Sequence, residues 1–123
     1  NSDIPMGIIT DGRLLSQSNK IKALGLHKYI TKKNIIISEE IGYDKHHDNG
    51  FKLIMSSNPT CAKFYYIGDN LSKDFYWPNQ LGWTTICLRD NGQNIHPQNF
   101  NIDKEYLPQH IIHNFSELIP LIL

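Results

Sequence analysis

Four side chains in this sequence sit where phosphate or metal chemistry could be done: Thr10, Lys45, Asp69 and Asp74. Thr10 ends the apolar run "MGIIT" (6–10) and is followed by the turn pair Asp11-Gly12. Asp69 directly follows "FYYIG" (64–68), and Asp74 comes five residues later. A carboxylate at the exit of a buried strand is costly unless a cation or turn amides meet it. A hydroxyl and a lysine together bind phosphate oxygens, and paired carboxylates suit Mg2+, which keeps several of its waters. Each group also has a plain structural use. Thr10-Asp11-Gly12 makes a turn with Asp11 capping the next helix, Lys45 is a solvated surface lysine, Asp69 satisfies turn amides, and Asp74 caps a helix. The run His46-His47-Asp48 suggests a transition metal only weakly, because adjacent histidines rarely converge on one ion.

The elements that must hold these groups alternate in type. Apolar β-type runs at 6–10, 34–38, 64–68, 84–88 and 110–114 read as strands. Between them, 14–26 has helical spacing through Leu14, Ile21 and Leu24, with Gly25 as its stop. Residues 48–58 form a short helix with Phe51, Ile54 and Met55 inward, and 79–82 a helical turn after Pro78. Residues 96–108 read as surface loop, and 116–123 as a closing helix with Ser116 at its N-cap. Continuous apolar strands alternating with helices predict an α/β, Rossmann-like parallel sheet covered by helices on both faces. Ligands of such sheets bind beyond the carboxyl ends of the strands, where Thr10-Asp11, Ser38-Glu39 and Gly68-Asp69 fall.

The chain has 123 residues, enough for one domain with a real core over 1–123. Twelve basic and twelve acidic residues cancel, which removes any bulk electrostatic case for nucleic acid or an anionic membrane. No apolar run approaches the roughly 20 residues of a membrane span, and "NSDIPMGIIT" lacks the regions of a signal peptide. Cys61 and Cys87 are far apart and fit no metal spacing, so they read as reduced thiols of a cytoplasmic protein. Trp83 and Trp77 read as core residues.

Three pieces, "IITDG" (8–12), "EEIGYDK" (39–45) and "IGDNLSKD" (67–74), resemble in order and spacing the haloacid dehalogenase-like (HAD) hydrolase superfamily, mostly phosphatases. The resemblance runs from about Met6 to Leu88 and extends to "HNFSELIPLIL". It implies that Thr10 hydrogen-bonds the transferring phosphoryl group and that Lys45 neutralises charge between phosphate and nucleophile. It implies that Asp69 and Asp74 hold Mg2+ directly or through water, and that the partner is a small phosphorylated substrate. Lys45 is followed by His46 where the family usually has Pro.

The family's first motif, Asp-x-Asp at the end of its central first strand, is not here: no such triplet occurs in the sequence. The resemblance therefore implies a partial core, without the central strand and the cap that selects substrate, and inactive by itself. The gap must be filled by a missing N-terminal segment, by a strand swapped from another copy, or by pairing 6–10 directly with 64–68. Two other readings stay open: a non-catalytic HAD-like binding or regulatory module, and an unrelated doubly wound nucleotide binder. The latter lacks any G-x-G-x-x-G or G-x-x-x-x-G-K-[ST] run.

Overall fold

The structure is a computed structural model that describes residues 4–89 and 98–122. It divides into two compact units, 1–61 and 62–123. In both, parallel strands carry the framework, as the alternation of apolar runs and helices predicts.

In the first unit, β1 (Ile8–Thr10) pairs in parallel with β2 (Ile35–Ile37), register Ile8 to Ile35 and Thr10 to Ile37. Both strands are rich in Ile, whose branched Cβ suits a packed pleat. Parallel pairing demands a crossover, and α1 (Leu14–Ala23) supplies it. This helix ends at Ala23 with Leu24 as its C-cap, so Gly25 follows as the expected stop. Gly25, at φ +71°, turns the chain into a separate 3-10 turn over Leu26–Lys28. A four-residue helix, α2 (Ser38–Ile41), leaves the end of β2, and α3 (Asn49–Ser57) returns across the sheet. Gly50, Phe51 and Ile54 form the buried face of α3. A Cβ on Gly50 would lie 3.3 Å from Ile36 Cγ2 and 3.4 Å from Ile9 Cγ2, so glycine lets this helix sit close on both strands. Buried Asn34 is satisfied by Asn58, whose amide nitrogen donates to Asn34 Oδ1 at 2.8 Å and to Ile54 O at 2.8 Å. That exchange ties the start of β2 to the end of α3.

In the second unit, β3 (Tyr65–Gly68), β4 (Thr84–Leu88) and β5 (His110–Ile112) form a parallel sheet in that order. The crossover from β3 to β4 contains α4 (Tyr76–Gln80), which starts three residues earlier than the sequence suggests. Pro78 is therefore inside the helix, but within its first turn, where backbone N–H groups have no intrahelical partner to lose. Phe75, Ile86, Cys87 and Ile112 are fully buried, and Trp83 is 4% exposed, its ring stacked on Phe64 at 5.1 Å. Trp83 is thus a core residue. Trp77 is half-buried and meets Tyr76 edge-on at 5.0 Å. Buried Thr85 donates to Asn79 Oδ1 at 2.7 Å, and Asn79 donates to Leu107 O at 2.8 Å, which fixes the loop before β5.

The loop expected over 96–108 contains a 3-10 turn at Lys104–Tyr106; its first part lies outside the described residues. The C-terminal segment also differs from expectation. Asn114, not Ser116, is the N-cap, because Asn114 Oδ1 accepts from Ser116 N while Glu117 reaches back to Asn114 N in a capping box. A 3-10 turn (Phe115–Glu117) follows, then α5 (Ile119–Ile122), which Pro120 enters at its second position. Among the described residues, β1 and β3 are each paired on one side within their own sheet. No helix among the described residues is long and apolar enough to cross a membrane.

Candidate active site

In the first unit Thr10 is the last residue of β1, and Lys45 lies on a loop tied to the next residue, Asp11. Asp11 makes this link: its carboxylate accepts the Lys45 backbone N–H at 3.1 Å. Asp11 is not the cap of α1. That helix has Arg13 at its N-cap without a side-chain bond, and Glu39 caps it from a distance by accepting Leu14 N at 2.8 Å. Ser38 completes the link from the end of β2, accepting Gly12 N at 2.8 Å. Gly12 has φ +146°, a conformation that favours glycine. The Thr10 hydroxyl donates to Gln17 Oε1 at 3.0 Å, which orients its lone pairs. Lys45 is half-buried.

The histidine run beside Lys45 is spread among separate contacts. His46 lies 3.4 Å from Asp44, the His47 ring meets Tyr43 at 5.5 Å, and Asp48 pairs with Lys52 at 2.7 Å. The backbone N–H of His46 holds the Asp44 carboxyl below its ordinary pKa. Among the described residues, no group of three or more His, Cys, Asp or Glu side chains could hold a metal ion.

In the second unit, the two acids after β3 have different surroundings. Asp74 is 2% exposed and folds back on the strand end, where its Oδ2 accepts Asn70 N at 2.9 Å and Asp69 N at 3.1 Å. Buried carboxylates require such partners. The turn-amide role considered for Asp69 is therefore filled by Asp74. Gly68 makes the approach possible, since a Cβ there would lie 2.5 Å from Asp74 Oδ2. Asp69 itself is exposed, and among the described residues no hydrogen bond engages its carboxylate. Its backbone carbonyl is held by Gln98 Nε2 at 2.9 Å, and the same nitrogen donates to Leu88 O at 2.9 Å. Gln98 thus joins the ends of β3 and β4, a role that no local sequence signal marks. Ser38, Glu39 and Gln17 escaped assignment for the same reason, although Ser38-Glu39 already stood at a strand end.

Cys87 reports the charge at this end of the sheet. Burial pushes its thiol up to about 11, with Asp69 and then Asp74 adding to the rise, while Arg89 and Gln98 oppose it. At pH 8 only roughly one thiol in a thousand is then thiolate. Iodoacetamide at pH 8 should therefore label Cys61 and spare Cys87 in the native chain, as read by mass spectrometry. Asp69→Asn should move the onset of Cys87 labelling to lower pH. Equal labelling of both cysteines at pH 8 would contradict this electrostatic picture.

Each unit thus carries candidate side chains near the carboxyl end of a parallel strand, where ligands of α/β sheets bind. No family model matches the chain. It is similar to a glyceraldehyde 3-phosphate phosphatase of Methanocaldococcus jannaschii, 31% identical over 86 residues, covering 69% of this chain and 37% of that protein. A glyceraldehyde 3-phosphate phosphatase of Methanopyrus kandleri is 30% identical over 107 residues, covering 80% of this chain and 45% of that protein. The fold matches the putative HAD-hydrolase YfnB from Bacillus subtilis, solved bound to magnesium, with TM-score 0.74 and 22% identity over 96% of this chain and 49% of that one. It also matches a HAD phosphatase from Thermococcus onnurineus, with TM-score 0.77 and 23% identity over 96% of this chain and 50% of that one. The fold is that of the haloacid dehalogenase-like hydrolase superfamily, and the sequence is distantly similar to the two phosphatases. The chain spans less than half the length of the two curated relatives and about half that of the two solved structures.

Proposed function

We propose that the chain is part of the catalytic core of a Mg2+-dependent phosphatase of small phosphorylated metabolites that works through an aspartyl-phosphate intermediate. The observation that carries this reading is the Asp69 carboxylate, exposed at the end of β3 on a backbone fixed by Asp74 and Gln98. A carboxylate that no hydrogen bond engages among the described residues, on a turn held by Asp74 and Gln98, suits a ligand. The two curated relatives, both named as phosphatases of a triose phosphate, support the substrate class.

The donor set fits part of a Mg2+ site. Asp69 would be the direct ligand, and Asp74, with one oxygen committed to two amides, would act through water. The ion supplies charge neutralisation to the transferring phosphoryl group. Thr10, oriented by Gln17, hydrogen-bonds a phosphoryl oxygen, and Lys45 balances negative charge between phosphate and nucleophile. Asp11 is no substitute nucleophile, since its carboxylate is taken by Lys45 N.

The attacking aspartate must come from outside these 123 residues, because no Asp-x-Asp triplet occurs in them. A second copy could fill a strand gap but brings no such triplet, so further sequence of the same protein is the better source. That same absence favours the alternative of a non-catalytic HAD-like binding or regulatory module. The two readings separate on p-nitrophenyl phosphate hydrolysis with Mg2+. The chain alone should show no turnover above the blank, and turnover should appear when a segment carrying an Asp-x-Asp strand is supplied. Failure to gain turnover in a folded, strand-complemented protein would favour the non-catalytic module.

A further inference from the structure

The loop after β3 and the loop between β4 and β5 border a cavity of about 640 Å3 in the second unit, within the size range of small-molecule sites. Its walls carry Asn70, Asn99, Asp103 and Tyr106, and its apolar part Leu71 and Ile102, which belong to the cluster around Phe75 and Cys87. The polar groups are held in place by atoms other than those they offer. Asn70 Oδ1 is pinned by Ser72, which donates from N at 3.0 Å and from Oγ at 2.6 Å. Asn99 Oδ1 is pinned by Asn101 N at 2.9 Å. The Tyr106 ring packs on Tyr76 at 5.0 Å. Asp103 precedes the 3-10 turn Lys104–Tyr106 without capping it through its side chain. Among the described residues, no hydrogen bond engages the amide nitrogens of Asn70 and Asn99, the Asp103 carboxylate or the Tyr106 hydroxyl.

From this arrangement we propose that the cavity binds a neutral, polyhydroxylated small molecule. Two amide donors, an acceptor-only carboxylate and a phenol that does both match hydroxyl groups, each of which donates and accepts. Leu71 and Ile102 offer surface to the C–H faces of such a ligand. Among the described residues, no lysine or arginine lines the cavity, and Asp103 repels anions, so a phosphate group is not what it holds. The site does not depend on phosphoryl transfer and stands or falls separately from it.

The test is a 1H–15N NMR titration of the full chain with D-ribose, and with butan-1-ol as a control that lacks the hydroxyl array. Ribose should shift the side-chain amide signals of Asn70 and Asn99 saturably, with a dissociation constant that is roughly millimolar. Asp103→Ala should weaken binding about tenfold or more, and Tyr106→Phe, which keeps the ring contact with Tyr76, by about threefold. Tighter binding of D-ribose 5-phosphate than of ribose would overturn the neutral ligand class, and equal or weaker binding would support it. Shifts that do not saturate, that persist unchanged in a folded Asp103→Ala chain, or that butan-1-ol reproduces would overturn the site.

Discussion

Asp69→Ala in the strand-complemented protein should lower kcat by roughly 10²–10³-fold, the usual cost of removing one group that stabilises transition-state charge. The expectation rests on a division of labour between the two acids. Asp74 is buried and spends one oxygen on the amides of Asp69 and Asn70, so it shapes the turn. Asp69 is exposed, and its carboxylate makes no hydrogen bond among the described residues, so its removal should leave the fold intact and reach the chemistry alone. The denaturation midpoint of Asp69→Ala should thus match that of the parent, while KM changes less than kcat. Asp74→Ala should lose both activity and stability, since two turn amides lose their acceptor. Activity that survives Asp69→Ala would remove that carboxylate from the mechanism.

Trp83→Ala should cost roughly 3–5 kcal/mol of stability, the range for truncating a buried aromatic. Trp83 stands just before β4, 4% exposed, with its ring stacked on Phe64 at 5.1 Å and tilted against Tyr66 at 6.4 Å. No other Trp is buried there to take over, because Trp77 packs on Tyr76. Against a typical total of about 5–15 kcal/mol, this loss leaves the second unit marginal or unfolded. Guanidinium denaturation followed by circular dichroism measures it, and an unchanged midpoint would refute the core role.

Much of the framework was legible in the sequence because parallel strands are written as short apolar runs. Residues 84–88 are a strand over the expected span, and 64–68, 34–38 and 110–114 shrink by one or two residues where their ends join turns. Helix ends were less legible. Ser116 looked like a cap, but Asn114 has the better-placed oxygen and Glu117 three residues on. Pro78 read as tolerable only near a helix start, and it does stand in the first turn, but of a helix that begins three residues earlier. The candidate site was legible as residue types at strand ends, not as roles. Asp74 does the turn-amide work expected of Asp69 and caps no helix, because the space that Gly68 leaves lets it fold back on the strand end. The ties from Gln17 to Thr10, from Asp11 to Lys45 and from Gln98 to Asp69 join loops through single side chains and leave no periodic trace. The cavity beside Asn70 was invisible for the same reason, since half its wall comes from a segment that read only as surface loop.

The claim that this turn is one part of a phosphatase metal site is tested most directly by titrating Mg2+ into the chain while following the backbone amide signals of Asp69 and Asn70. Binding should be weak in the chain alone, should tighten when an Asp-x-Asp strand is supplied, and should vanish in Asp69→Asn. Equal affinity with and without that strand, or affinity retained in Asp69→Asn, would contradict it.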